Sequence, residues 1–199
     1  VSALGPSPLE LMPTDAGRVP DDFYATPARD VEAFLDTAGI NVRGLHVFEP
    51  SAGDGAILAV CDDRGATTLS GIEMDAKRAA VCAFRGFDVR QGDALTEVWG
   101  KADLLIGNPP FNLALEFAER AAAWAEMHRK PAALLLRLAF LESKKRAAFH
   151  AEHPSDLFVL SERPSFRRDR KGTDSSAYAW FVWSPLASRR WTVIPPRAE

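Results

Sequence analysis

Apolar and polar positions along the chain fall into alternating helical and extended blocks. Thr26-Pro27 reads as a helix N-cap followed by a first-turn proline. Val31, Phe34, Leu35 and Ala38 then recur at helical spacing, and Gly39 stops the run. His46-Val47-Phe48 predicts a strand that enters a turn-rich segment, residues 49–55, before a helix through Ile57, Leu58 and Cys61. Strands over 67–72, 87–90 and 103–106 alternate with a helix over 76–84 and a longer one through Leu115, Ala118, Ala122 and Trp124. A strand over 133–138, a helix over 142–150 with a basic face, and two late strands over 157–160 and 178–183 close the pattern.

Strands separated by helices argue an α/β fold: a mainly parallel seven-stranded sheet with helices on both faces. Only a polar loop joins the last two strands, so they are expected as an antiparallel terminal hairpin. Pro6, Pro8, Pro13 and Pro20, with Gly5 and Gly17, predict a flexible arm over residues 1–22. Residues 23–199 are expected to form one domain.

Composition narrows this little. A hydrophobic fraction of 47% in 199 residues supports one sizeable core. A formal net charge of -3 excludes a uniformly basic nucleic-acid binder but not a local patch. Arg137 interrupts the longest apolar run, and no secretory leader pattern opens the chain. Cys61 and Cys82 lack metal-ligand spacing, so a reducing cytoplasm and a metal-free protein are expected.

Candidate chemistry collects where strands end, since ligands of open α/β sheets sit beyond the strands' carboxyl ends. Glu49-Pro50-Ser51-Ala52-Gly53-Asp54-Gly55 supplies glycines that let backbone approach a ligand. Glu73, about 20 residues after Gly53, stands where a carboxylate accepts ribose hydroxyls. Pro50 and the Gly-Asp-Gly order fit neither the dinucleotide fingerprint nor the phosphate loop, which favours a ligand with a ribose and no essential phosphate. A tight structural turn is the plainer reading of this segment. Asn108-Pro109-Pro110-Phe111 is sharper. Two prolines remove two donors and stiffen the turn, so the Asn108 side-chain oxygen and the Pro109 carbonyl form a rigid pair of acceptors for an amino group. Phe111 offers a face for a flat base. Its plainer reading is a strand-ending turn with Phe111 in the core.

These segments resemble the DNA adenine methyltransferases of phages and prophages, within the S-adenosylmethionine-dependent Rossmann-like superfamily. The matching pieces are Asp22-Phe23-Tyr24-Ala25-Thr26-Pro27, Phe48 to Gly55, Gly71-Ile72-Glu73, Gly92-Asp93 and Asn108-Pro109-Pro110-Phe111. Arg163-Pro164-Ser165-Phe166, Gly172-Thr173-Asp174 and Tyr178-Ala179-Trp180 are also similar to the C-terminal part of such enzymes.

The resemblance implies S-adenosylmethionine as cofactor, S-adenosylhomocysteine as product, and N6 of a flipped-out adenine as acceptor. It places Tyr24, Thr26 and Pro27 at the methionine end of the cofactor. Glu49, Pro50, Ser51, Ala52 and Gly53 would line the pocket, Glu73 and Met74 would meet the ribose side, Asp93 and Ala94 the adenine, and Asn108 would border both ligands. Asn108, Pro109, Pro110 and Phe111 would be the catalytic set. N4-cytosine, RNA and protein-glutamine methylation use such loops too, and a catalytically idle nucleic-acid-binding module is the alternative of another class. The sequence departs from better-known enzymes in having no separate target-recognition region. Recognition then comes from short loops, is weak, or needs a partner. Arg163, Phe166, Arg167, Arg168, Arg170 and Lys171 form the candidate basic loop for DNA phosphates, with a solvated hairpin as its plainer reading. Trp180, Trp183 and Trp191 are expected in core or late-strand packing.

Overall fold

The structure, a computed structural model, describes residues 25–164 and 176–196. The expected N-terminal arm and most of the candidate basic loop lie outside the described residues. Helix α1 (Ala28–Ala38) leads to β1 (His46–Glu49), α2 (Ala56–Asp63), β2 (Thr68–Glu73), α3 (Ala76–Phe84) and β3 (Asp88–Gln91). Then follow β4 (Leu104–Gly107), α4 (Ala114–His128), β5 (Ala132–Arg137), α5 (Lys144–Glu152), β6 (Asp156–Leu160), β7 (Tyr178–Trp183) and β8 (Trp191–Ile194). One sheet holds eight strands in the order β3-β2-β1-β4-β5-β7-β6-β8. Strands β1 to β5 pair in parallel, while β7 runs antiparallel to both β5 and β6.

The expected terminal hairpin is therefore present as β6 and β7. The strand count of seven is corrected to eight, because β8 adds to the edge, parallel to β6. It escaped the sequence pattern because only Ile194 of its four residues is buried. Trp191 does lie in this late strand, but 71% exposed, whereas Trp180 and Trp183 are core as expected.

The central strands read as unbroken apolar runs because helices cover both faces. Every residue of β4 and β7 is buried. On one face, α1 and α2 pack Phe34, Leu35, Ile57 and Leu58 against Val47, Ile106 and Leu135. Phe34 stacks on Trp180 with ring centres 4.5 Å apart, tying α1 to β7. On the other face, α4 brings Phe117, Ala118, Ala121 and Trp124 onto Phe48, Leu105 and Leu134. Gly39 ends α1 in the left-handed conformation at φ 66°, as the sequence implies. At the other end of α1, Pro27 rather than Thr26 occupies the cap position, and no side chain caps the helix. The Thr26 hydroxyl is used elsewhere.

Parallel pairing brings β1 and β2 close together at Glu49 and Gly71, which are register partners. A Cβ on Gly71 would lie 2.5 Å from the Glu49 carbonyl oxygen and 3.4 Å from Ala52 Cβ. The nearer neighbour is backbone and cannot rotate away. Gly71→Ala should therefore lower unfolding stability by about 1–3 kcal/mol, the usual cost of overpacking. Urea denaturation checks this; an unchanged midpoint would show that the β1–β2 spacing is not held at this point.

Candidate active site

The first wall of the site is the turn after β1. Gly53 and Gly55 take φ values of 56° and 78°, which side-chain-bearing residues rarely adopt. The Ala52 N–H donates to the Ile72 carbonyl at 3.0 Å, and the Gly53 N–H donates to Glu73 Oε2 at 2.8 Å. Glu73 Oε1 accepts from the Asp75 N–H at 2.9 Å and from Arg78 Nε at 3.0 Å. Glu73 thus clamps the turn to the end of β2. A carboxylate has about four lone-pair positions, so these three donors leave it room for roughly one hydroxyl more. Sequence reasoning assigned Glu73 to a ribose alone and missed the clamp. Asp75, in the same polar segment, is the N-cap of α3: its Oδ1 accepts from the Lys77 and Arg78 N–H groups, both at 2.9 Å. These bonds, with the neighbouring cations, hold its carboxyl below the usual range. Met74, between the two, is 59% exposed and presents an apolar surface next to Glu73.

Glu49, Asp54 and Glu73 are each at least nine-tenths buried. Glu49 Oε2, Ser51 Oγ and Asp54 Oδ1 have no hydrogen-bond partner among the described residues. Burial pushes the Glu49 carboxyl well up, and Asp54 and Glu73 push it further. Unpartnered acceptors crowded on one turn suit a ligand that carries positive charge and N–H donors, which the ammonium and sulfonium of S-adenosylmethionine would supply. At the end of β3, Asp93 is half-buried and its Oδ1 accepts from the Leu95 N–H at 2.8 Å. The Ala94 side chain is core, and its carbonyl accepts from Trp99 Nε1 at 2.8 Å.

The second wall follows β4. Asn108 comes directly after Gly107, which closes the strand, and Phe111 starts a short 3-10 turn (Phe111–Leu113) into α4. Asn108 Nδ2 donates to Thr26 Oγ1 at 3.0 Å, joining residues 82 positions apart. With the amino side of the amide engaged there, its oxygen side is the part that can meet a donor. The Pro110 carbonyl accepts from the Leu113 N–H at 3.0 Å, whereas Pro109 is buried ahead of it. Phe111 is half-buried, its ring centre 5.3 Å from that of Tyr178, with Arg137 Cζ 4.7 Å above its own ring. Arg137 Nε lies 3.4 Å from the Tyr178 hydroxyl, and the two residues are register partners on β5 and β7. Neither entered the sequence-derived set. The signal was a lone arginine ending an otherwise apolar strand, legible only once β7 is placed beside β5.

The structure thus brings together Thr26, Pro27, residues 49–54, Glu73, Met74 and the Asn108 turn along the strands' carboxyl edge. Arg163 is exposed beyond β6. Tyr24, Phe166, Arg167, Arg168, Arg170 and Lys171 lie outside the described residues. Among the described residues no cluster of three or more His, Cys, Asp or Glu could hold a metal, and no helix is long and apolar enough to cross a membrane.

No protein-family model matches the chain. A curated relative, the modification methylase CviBIII from Paramecium bursaria Chlorella virus NC1A, is 32% identical over 76 residues, which is 36% of this chain and 20% of the relative. The chain therefore spans about a fifth of that relative's length. Among solved structures, a protein from Pyrococcus horikoshii, named provisionally as an RNA methyltransferase, matches with TM-score 0.65 and 20% identity over 89% of this chain and 93% of that one. A Listeria monocytogenes protein, provisionally a class I S-adenosylmethionine-dependent methyltransferase, matches with TM-score 0.65 and 12% identity over 90% and 68%. The fold is that of the class I S-adenosylmethionine-dependent methyltransferases. The methyltransferase subunit of a type I restriction-modification system from Streptococcus thermophilus matches with TM-score 0.62 and 13% identity over 85% and 47%.

A small pocket on the same edge, between Arg29, Asp30, Leu160, Glu162, Ile194 and Pro195, holds a strained carboxyl. Burial raises the Asp30 pKa to about 6, Glu162 adds to the rise, and Arg29 opposes it. A folded pKa above the unfolded value means ionisation costs stability, so the cost is absent below pH 3.8 and complete above about pH 6. Asp30→Asn should then stabilise the protein by about 1–3 kcal/mol at pH 7 and by much less near pH 4. Denaturation at both pH values checks this, and a pH-independent difference would contradict it.

Proposed function

We propose that the protein is an S-adenosylmethionine-dependent methyltransferase whose acceptor is the exocyclic N6 of adenine in DNA. The observation that carries this reading is the Asn108 turn, set at the carboxyl end of β4 and tethered to Thr26, next to the acidic turn after β1. Glu49, Ser51 and Asp54 supply acceptors for the methionine end of the cofactor, while Glu73 and Met74 stand at the ribose and base side. Asp93 at the end of β3 completes that side, and Tyr24 and Pro27 would flank the methionine end. Bound there, S-adenosylmethionine supplies a methyl group on positively charged sulfur.

The chain's own part is to hold the amine. Asn108 Oδ1 and the Pro109 carbonyl accept its two N–H groups and turn them out of the ring plane, which localises the lone pair that conjugation otherwise spreads into the base. Pro109 and Pro110 fix the spacing of these acceptors, and Phe111 stacks on the base. Fixing reactants in this way is where most of the rate originates when the electrophile is already activated. A base in a duplex reaches such a turn only after leaving the stack. The similarity to a modification methylase and to a restriction-modification subunit favours DNA; the likeness to an RNA methyltransferase makes RNA the comparison to run. By the same analogy, a partner subunit would supply target recognition.

Incubation with methyl-labelled cofactor and DNA, RNA or protein, followed by nucleoside analysis, should yield N6-methyladenine from DNA. Label confined to RNA or protein would overturn the DNA assignment. Asn108→Ala should lower transfer about 10²–10³-fold, the range for losing one aligned group at a reacting centre, with cofactor affinity little changed. Full activity in that variant would remove Asn108 from the catalytic set. Thr26→Val should cost transfer about 3–10-fold through loss of one hydrogen bond that orients the amide; single-turnover rates measure this directly.

A further inference from the structure

Two edge strands end the sheet, and they are built differently. At one edge, β3 exposes Asp88, Arg90 and Gln91, and Arg90 donates to the Val98 carbonyl. Charged side chains along an edge discourage another strand from pairing there. At the other edge, β8 exposes Trp191 and Val193, 71% and 48% accessible, and no strand stands beside it among the described residues. We propose that β8 is a dimer interface, pairing antiparallel with β8 of a second copy of this chain about Thr192.

The backbone sets the register. The Leu157 and Ser161 N–H groups donate to the Arg190 and Ile194 carbonyls, so the even-numbered residues of β8 face β6. In a parallel pair the N–H and C=O of one residue point to the same side, and the side alternates along the strand. Thr192 therefore bonds inward, while Trp191 and Val193 direct their donors and acceptors out of the sheet. A two-fold axis through the sheet keeps each face on its own side, so Thr192 can stand opposite Thr192, or Val193 opposite Val193. Centred on Thr192, each Trp191 exchanges two backbone hydrogen bonds with Val193 of the other copy. Centred on Val193, Trp191 would meet Pro195, which has no N–H to give. The first register is the better one. Ile194 packs with the α1 cluster, so Trp191 and Val193 lie on the opposite face, where they form an aromatic and β-branched pair across the strands.

Charge favours a second copy as the occupant. Arg190 bonds Asp156 at 3.2 Å, yet its side chain is 74% exposed. In this register it stands opposite Ile194 of the other copy, which lines the pocket of Arg29, Asp30 and Glu162. That pocket sets two acids against one cation, and Asp30 Oδ2 is buried there without a partner. Symmetry delivers the arginine twice, once to each pocket. Strand β8 runs with β6, and β7 is antiparallel to both β5 and β6, so β8 points the same way as β1 to β5. The carboxyl edges of the paired sheets then open in opposite directions and both candidate sites stay uncovered. The dimer is thus independent of the methyl-transfer reading.

Sedimentation of the full chain from low-micromolar to near-millimolar concentration should show a reversible monomer–dimer equilibrium. Four-residue edges make a small interface, so a weak dimer is expected. Val193→Pro removes an N–H that β6 does not use, and symmetry removes it twice; the dimer should weaken about 10–100-fold. Glu162→Arg should weaken it about 2–5-fold. Thr192→Cys gives an independent reading that needs no loss of stability. Opposed Thr192 positions have Cα atoms about 4.5 Å apart, inside disulfide range, whereas two Val193 positions are diagonal at about 7–8 Å. Under mild oxidation Thr192→Cys should therefore crosslink in pairs and Val193→Cys should not. A wild-type chain that stays monomeric throughout would overturn the interface, as would a dimer indifferent to Val193→Pro. Crosslinking that prefers Val193→Cys would overturn the register, and a dimer as tight in Glu162→Arg as in wild type would overturn the charge contact.

Discussion

A carboxylate taken out of water must be given donors, and Glu73 is given three from three places in the chain: the Gly53 N–H, the Asp75 N–H and the Arg78 guanidinium. Each comes from a segment with its own part in the site. Gly53 belongs to the turn after β1, Asp75 caps α3, and Arg78 lies one turn along that helix. Removing the acid would leave two backbone donors and a cation without their shared partner, and the left-handed glycine turn held to β2 only by the Ala52–Ile72 backbone hydrogen bond. One side chain thus joins the turn after β1, the end of β2 and the start of α3. Gly71 has to lack a side chain, because the Glu49 carbonyl passes against it where the two are register partners on β1 and β2.

The turn after β4 depends on a weaker constraint, the hydrogen bond from Asn108 to Thr26. It crosses nearly half the chain and makes the segment ahead of α1 part of the site rather than a leader to a helix. Thr26 reads in sequence as a helix cap, and a short hydroxyl residue before a proline justified that reading. Pro27 takes the cap position itself, which releases the hydroxyl to orient the amide.

Fold and site were legible to different degrees for physical reasons. The centre of the sheet was readable because β1, β4, β5 and β7 are largely buried and appear as apolar runs bounded by turn residues. Helix α3 was expected over the same residues it occupies because Asp75 and the apolar spacing mark its limits. Strand β8 was not expected, since an edge strand with one buried residue has no apolar signature. The glycine turn and the Asn108 turn were visible because glycine and proline announce backbone geometry directly. Arg137 and Tyr178 were not, since their nearness to Phe111 depends on β7 inserting antiparallel between β5 and β6, which no local pattern encodes.

The two buried cysteines acquire a further meaning from where they lie. Burial pushes both thiols up to about 12, with the carboxylate of Glu49 contributing to each. In the folded protein they are held as unreactive thiols. Cys82 donates its thiol hydrogen to the Gly53 carbonyl at 3.4 Å, so it sits directly beneath the turn that Glu73 clamps. With no exposure of its own, Cys82 can be alkylated by a small reagent only when the structure around it opens, which makes the rate of modification a clock for that opening.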